Sequence, residues 1–209
     1  MLASNKAFNK VLVPAQTPNG PLSKKLIEKE IRRAAKLIEA SYGPFNGDTD
    51  TVPVVVSVLF GAIHIHPLLM ESFSVGFPMY PAMIRAKSYE SNEKRGDVEI
   101  SDLIMEKNVS IAGRRVLIVD DIIESGQTLH ALKEWFENEG ASDVRCFTLL
   151  SKPDKRVYDV EVDWTVFNLT PGQWVVGKGL DDNGLYRHFP NIVVLRDSRE
   201  SSSEIQKPR

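Results

Sequence analysis

Short apolar runs alternate along the chain with segments in which apolar residues recur every three or four positions. The runs are typical of strands covered on both faces of a parallel sheet, and the spaced segments of amphipathic helices. The expected strands cover 52–60, 79–87, 98–103, 116–119, 144–150, 164–169, 174–176 and 192–195. This order predicts an α/β fold, with a doubly wound, mostly parallel sheet flanked by helices. The N-terminal and last short strands are expected to form a small hood over the strand ends.

Two helices are marked by their ends as well as by their periodicity. Ser23 can cap a helix over 24–41, and Gly43 is placed to end it. A second helix begins near Thr128 and is expected to end at Gly140.

The composition fits one globular domain. The chain has 209 residues, with 42% hydrophobic and 26% charged positions. We expect the domain to cover 1–196 and a disordered polar tail to cover 197–209. The net charge of -2 provides no basic field for nucleic acid or a membrane surface. A single cysteine, Cys146, excludes an intrachain disulfide and lies in a run expected to be buried. Without an apolar leader or a membrane-spanning run, a cytoplasmic protein is expected.

The chain is organised around residues 115–128, where an apolar strand leads into two aspartates, a small-residue turn and a helix. Backbone N–H groups at 124–128 meet the positive end of the helix dipole, an arrangement that suits a phosphate. In an extended chain Asp120 and Asp121 point to opposite faces, which argues against a shared proton. Such carboxylates can accept hydrogen bonds from sugar hydroxyls or hold Mg²⁺ through water. The alternative is an ordinary strand-to-helix turn with solvated acids.

Residues 119–128 carry a pattern of a hydrophobic residue, two acids, three variable residues, Ser-Gly, one variable residue and Thr. This pattern resembles the phosphoribosyl-pyrophosphate (PRPP) motif of type I phosphoribosyltransferases. The resemblance implies that fold, catalytic carboxylates at Asp120, Asp121 and Glu124, and Mg²⁺ as cofactor. It implies that the phosphate is bound by Ser125, Gly126, Gln127 and Thr128.

A second segment, Leu59-Phe60-Gly61, occupies the place of a short loop whose backbone contacts pyrophosphate in the family. Relatives often have a Leu-Lys-Gly-Gly-like sequence there, so Phe60 is a departure. The peptide bond before this residue can be cis in the family. A buried phenylalanine that closes a strand is the alternative interpretation.

A third segment, 85–89, resembles the Arg-x-Lys-Ser-Tyr sequence with which the family's flexible active-site lid begins. The resemblance implies a lid over 88–97 that includes Ser88 and Tyr89. A solvated hairpin would also explain the charges of this segment.

The C-terminal half points to a base. Lys152 follows a buried strand, and the resemblance sets its ammonium against the 6-oxo oxygen of a purine, which favours hypoxanthine, guanine or xanthine over adenine. Trp174 matches the aromatic residue that stacks on the base, and Val175 a position whose backbone reads the base edge. A solvated lysine and a core tryptophan are the alternatives.

Residues 175–187 resemble the hypoxanthine-guanine branch of the family. In that branch Asp181 matches a metal-linked acid and Arg187 a pyrophosphate-binding arginine. The implied activity is purine salvage from PRPP and a 6-oxopurine by a homodimer or homotetramer. Relatives commonly have aspartate where this chain has Glu124. Two alternatives stay open: a phosphoribosyltransferase for another base such as xanthine, and a non-catalytic regulator that binds PRPP or a nucleotide.

Overall fold

The computed structural model describes residues 10–17, 20–88 and 98–197. The main sheet consists of β4 (Val54–Leu59), β5 (Tyr80–Ser88), β6 (Val98–Ile104), β7 (Arg115–Ile123), β8 (Asp143–Ser151) and β9 (Trp164–Asn168). The strands lie in the order β6-β5-β4-β7-β8-β9. Only β6 runs antiparallel to its neighbour, so the sheet is mostly parallel, as expected.

Helices cover both faces of this sheet. They are α1 (Lys24–Tyr42), α2 (His66–Met70) and α3 (Gln127–Asn138). Alternate residues of β4 and β7 contribute to two separate apolar cores, one with α1 and the other with α3. Side chains on both faces of these strands are therefore buried, which explains why their apolar runs are continuous.

The ends of the longer helices follow the sequence signals. The Ser23 hydroxyl oxygen accepts a hydrogen bond from the Leu26 N–H at 3.3 Å, and Gly43 ends α1 with a φ of 76°. Gly140 follows α3 with a φ of 84°. These positive φ angles suit glycine, which has no β carbon to clash with the backbone.

The expected hood is a three-stranded antiparallel sheet of β1 (Lys10–Pro14), β10 (Val175–Val176) and β11 (Val193–Asp197), in the order β1-β11-β10. A further antiparallel pair is formed by β2 (Gln16–Thr17) and β3 (Gly20–Pro21). The hood therefore joins the N-terminal and C-terminal segments.

One boundary differs in a way that matters for the site. The apolar run predicted a strand over 116–119, but β7 continues to Ile123 and contains both aspartates. Pairing of Ile122 and Ile123 with β8 extends the strand past the acidic pair. The remainder of the expected lid, 89–97, and the tail from 198 lie outside the described residues.

Candidate active site

A cleft of about 460 Å³ opens at the carboxyl ends of β4, β7 and β8. Parallel strands present their carboxyl ends at the same edge of a sheet, where loops can assemble a ligand site. Most of the predicted site residues meet there: Leu59, Gly61, Asp120, Asp121, Glu124, Thr128, Lys152, Trp174, Val175, Asp181 and Arg187.

Both aspartates line this cleft, but Asp120 alone also lines the cavity at the start of α3, whereas the carboxylate of Asp121 lies against Gly61. Asp120 accepts a hydrogen bond from the Asp121 N–H at 2.9 Å, and Asp121 accepts one from the Ile122 N–H at 2.8 Å. Each carboxylate thus accepts from the N–H of the residue that follows it in the strand. Burial, followed by the charge of Asp121, holds the pKa of Asp120 well above its ordinary value. Burial raises the pKa of Asp121 to about 6.

The Leu59-Phe60 peptide bond is cis. Phe60 is 51% exposed, so the alternative of a buried phenylalanine is wrong. Its ring lies 5.5 Å from the guanidinium carbon of Arg85. Gly61 lies so close to the Asp121 carboxylate that a β carbon would overlap it. A backbone loop is thereby held directly against the acidic pair.

A second cavity of about 310 Å³ adjoins the cleft and is lined by the turn at 124–128 and the start of α3. Gly126 has a φ of 87°, and the Gln127 N–H donates to the Ser125 hydroxyl oxygen at 3.3 Å. Ser125, Gln127 and the rest of the predicted phosphate loop therefore surround one space. Both cavities are lined by Asp120, Glu124 and Thr128, so the two spaces adjoin each other.

The ammonium of Lys152 forms an ion pair with the carboxylate of Glu124. Lys152 is only 8% exposed, so the alternative of a solvated lysine is wrong. Its ammonium also lies 5.5 Å from the centre of the Trp174 ring. Trp174 is 53% exposed, which excludes a core role for it, and Val175 beside it is buried in β10. A cation, an anion and an exposed aromatic face thus occur together in the cleft.

Asp181 and Arg187 form a second ion pair, with 2.7 Å between Nη2 and Oδ1. Arg187 also donates to the carbonyl oxygen of Gly179. Gly179, with a φ of 103°, packs against the Gly61 carbonyl so closely that a β carbon there would overlap it. This segment therefore borders the cleft and packs against the loop at 59–61.

The described residues contain no group of three or more His, Cys, Asp or Glu side chains that could hold a metal ion. The adjacent carboxyl groups of Asp120, which is buried, and Asp121, which is partly buried, both line the cleft. His66 is buried, and burial lowers its pKa to about 4, whereas His64 is exposed. His66 is therefore a packed residue, and His64 lies at the surface.

The predicted site residues and the residues that line the two cavities do not fully coincide. Ser88 ends β5, and Tyr89 lies outside the described residues. Lys155 lines the second cavity but was not among the predicted residues. The sequence signal for Lys155 was its position three residues after Lys152. That spacing brings Lys155 to the cavity only because Pro153–Lys155 forms a turn, which the sequence pattern does not predict.

No helix in the described ranges is both long and apolar enough to cross a membrane.

A phosphoribosyl transferase domain family model matches residues 22–182. The chain is 35% identical over 145 residues to the hypoxanthine-guanine phosphoribosyltransferase of Streptococcus pneumoniae, covering 69% of this chain and 78% of that protein. It is 33% identical over 200 residues to the enzyme of the same name from Lactococcus lactis, covering 94% and 97%. A crystal structure of a hypoxanthine-guanine phosphoribosyltransferase from Bacillus anthracis matches with a TM-score of 0.72 and 30% identity, covering 87% of this chain and 98% of that one.

Proposed function

The chain belongs to the phosphoribosyl transferase family, and from this premise we propose that it is a purine-salvage enzyme. It transfers the 5-phosphoribosyl group of PRPP to N9 of hypoxanthine or guanine, giving IMP or GMP and pyrophosphate. The proposal rests above all on one observation, the ion pair between Lys152 and Glu124 in the cleft.

This ion pair supplies a donor and an acceptor side by side. A 6-oxopurine carries an acceptor at O6 next to N7, which can carry a proton. Lys152 can donate to O6 while Glu124 accepts from N7, so the pair complements that edge of the base. Adenine has an amino group at position 6 and would set a donor against the Lys152 ammonium, which donates only.

The base is proposed to stack on the exposed face of Trp174. Val175 is buried in the hood strand β10, and its backbone is proposed to read the far edge of the purine. The Leu195 N–H of β11 donates to the Trp174 carbonyl oxygen at 2.8 Å, which attaches Trp174 to the hood beside Lys152.

The phosphoribosyl group is proposed to lie across the two adjoining cavities. Ser125, Gly126, Gln127 and Thr128 bind its 5′-phosphate, while Asp120 and Asp121 face the ribose hydroxyls. Backbone groups of Leu59, Phe60 and Gly61 contact the pyrophosphate, and Arg187 adds a positive charge beside it. The contact between Gly61 and Asp121 brings the sugar and pyrophosphate subsites together.

Mg²⁺ is the proposed cofactor. The adjacent carboxyl groups of Asp120 and Asp121 suit this oxygen-binding cation, and Asp181 lines the same cleft. Asp120, Asp121 and Asp181 would hold it through water or through the substrate, and when bound it neutralises charge on the departing pyrophosphate.

In the proposed reaction N9 of the purine forms a bond to C1′ as the bond from C1′ to the pyrophosphate oxygen breaks. The bonding electrons leave with pyrophosphate, and the transition state has oxocarbenium character. Glu124 accepts the proton that the purine loses at N7. The lid over 88–97, with Ser88 and Tyr89, closes to exclude water that would otherwise hydrolyse PRPP.

The remaining parts of the proposal concern the whole molecule. Residues 1–196 form one domain, which acts in the cytoplasm as a homodimer or homotetramer.

The test is the change in ultraviolet absorbance when the protein and Mg²⁺-PRPP are mixed with hypoxanthine, guanine, xanthine or adenine in separate reactions. We expect turnover with hypoxanthine or guanine. Turnover with xanthine or adenine alone would move the assignment to another base. If protein that still binds PRPP shows no turnover with any of the four bases, the enzymatic proposal would be contradicted.

A further inference from the structure

The second cavity, here called the phosphate cavity, is also lined by Lys155, which belongs to the segment 153–160. Pro153–Lys155 forms a single 3-10 turn, in which the Lys155 N–H donates to the Lys152 carbonyl oxygen at 3.1 Å. The Val157 and Tyr158 N–H groups both donate to the Ser125 carbonyl oxygen at 2.9 Å. These backbone hydrogen bonds attach the segment to the loop that it faces.

Close packing fixes the distance between this segment and the loop at 124–128. A β carbon on Gly126 would lie 2.9 Å from the Val160 Cγ1 atom and 3.1 Å from the Tyr158 carbonyl oxygen. Only a residue without a side chain lets the loop approach this segment so closely. The position of the segment relative to the loop at 124–128 is therefore set by the backbone hydrogen bonds to Ser125 and by the close contacts of Gly126.

The charges around the cavity are unbalanced. Asp120 and Glu124 line it, and the side chains of Ser125, Gln127 and Thr128 are neutral. Lys155 is the one basic residue among the described residues that line it. The ammonium of Lys152 is already paired with Glu124, whereas Lys155 has no ion pair with any described residue. A phosphate dianion entering beside two acidic residues needs a cation, because backbone N–H groups supply only partial charge.

We propose that Lys155 binds the 5′-phosphate of PRPP and of the nucleotide product. This inference rests on the proposed function, since that function puts a phosphate in the cavity. The single 3-10 turn then separates two tasks: Lys152 at its start binds the base, and Lys155 at its end binds the phosphate. The neutral Gln127 leaves the loop itself without a full positive charge, and Lys155 supplies it from the facing segment.

The experiment compares ligand binding by calorimetry in the wild type, Lys155→Ala, Lys155→Arg and Lys107→Ala. The last variant is the control, because Lys107 is an exposed lysine between β6 and β7, outside both cavities. The probes are ribose 5-phosphate, which carries the phosphate group in question, and pyrophosphate, which belongs to the Arg187 side of the cleft. Neither measurement requires turnover.

We expect Lys155→Ala to bind ribose 5-phosphate about tenfold more weakly, as for the loss of a hydrogen bond to a charged group. Pyrophosphate affinity should stay unchanged, and Lys155→Arg should keep most of the affinity for ribose 5-phosphate. Added salt should weaken binding less steeply in Lys155→Ala than in the wild type, because one charge interaction is missing. Melting temperatures identify any variant that has lost its fold.

Unchanged affinity of folded Lys155→Ala for ribose 5-phosphate would overturn the inference. An equal loss in Lys107→Ala, or an equal loss for pyrophosphate, would also overturn it. Binding of ribose 5-phosphate that depends on Lys155, in a protein that turns over none of the four bases, would support the inference and contradict the proposed function.

Discussion

The ammonium of Lys152 contacts the carboxylate of Glu124, 28 positions earlier in the chain. The last register pair of β7 and β8 is Ile123 with Ser151, so the two charged residues directly follow paired strand ends. The Lys152 N–H donates to the Ile123 carbonyl oxygen at 2.9 Å and extends that register by one step. The parallel pairing thereby brings the proposed base-binding lysine and proton acceptor together, and it gives a buried ammonium the partner that burial demands.

Replacing Lys152 by alanine should remove the donor to O6. We expect kcat/KM for hypoxanthine and guanine to fall about a hundredfold, because the substrate oxygen would be left unpaired in the cleft. Initial rates at saturating PRPP, with adenine as a comparison base, measure the change. Unaltered discrimination against adenine would contradict the role of Lys152, and Lys107→Ala should behave as the wild type.

Shortening Glu124 to aspartate should preserve or raise turnover, because the carboxylate stays and the shorter side chain matches the residue common at this position. Glu124→Gln keeps the length but cannot accept the proton at N7. We expect it to lower kcat about a hundredfold or more, the usual contribution of a general base. Single-turnover rates with hypoxanthine separate this effect from binding. A full loss of activity in Glu124→Asp would show that the glutamate is adapted to another base.

Alanine at Gly61 should displace the carboxylate of Asp121, because the added β carbon would overlap it. We expect kcat/KM for PRPP to fall about a hundredfold, as the acidic pair leaves its place beside the pyrophosphate loop. Gly76→Ala is the matched control, since its β carbon would meet only the Ser74 hydroxyl oxygen at 3.8 Å. Activity of Gly61→Ala equal to that of Gly76→Ala would show that the contact is dispensable.

His66 should make the stability of the fold depend on pH. Burial lowers its pKa from 6.5 to about 4, so between these values the unfolded chain holds a proton that the folded protein lacks. Its contribution to the free energy of unfolding is therefore full above pH 6.5 and is lost as the pH falls towards 4, by up to about 3 kcal/mol.

Urea unfolding of the wild type and of His66→Gln at pH 7.5 and at pH 5 isolates this contribution. The wild type should lose about 2 kcal/mol more than the variant over this interval. Equal losses in the two proteins would show that another group controls the pH dependence. Glutamine suits the comparison because it can still hydrogen-bond to the backbone of Val55 but does not titrate.

Much of the fold could be predicted because the patterns that mark it are local. The caps at Ser23 and Gly43 and the continuous apolar runs of β4 and β7 each reflect interactions within a few residues or burial on both faces. The predicted end of β7 was wrong because pairing with β8 carries the strand through the acidic pair. That pairing depends on a partner strand that the local pattern does not contain.

The candidate site likewise has some features that local sequence patterns indicate and others that depend on long-range contacts. The sequence by itself identified the loop at 124–128, the acidic pair and the aromatic and basic residues of the proposed base subsite, because their residue types and spacing indicate a chemistry. Only the tertiary structure decided that both aspartates face one cleft, that Lys152 pairs with Glu124, and that Lys155 faces the phosphate loop. Each of these depends on strand register or on close backbone packing between distant segments, and such contacts leave no periodic signal along a single chain.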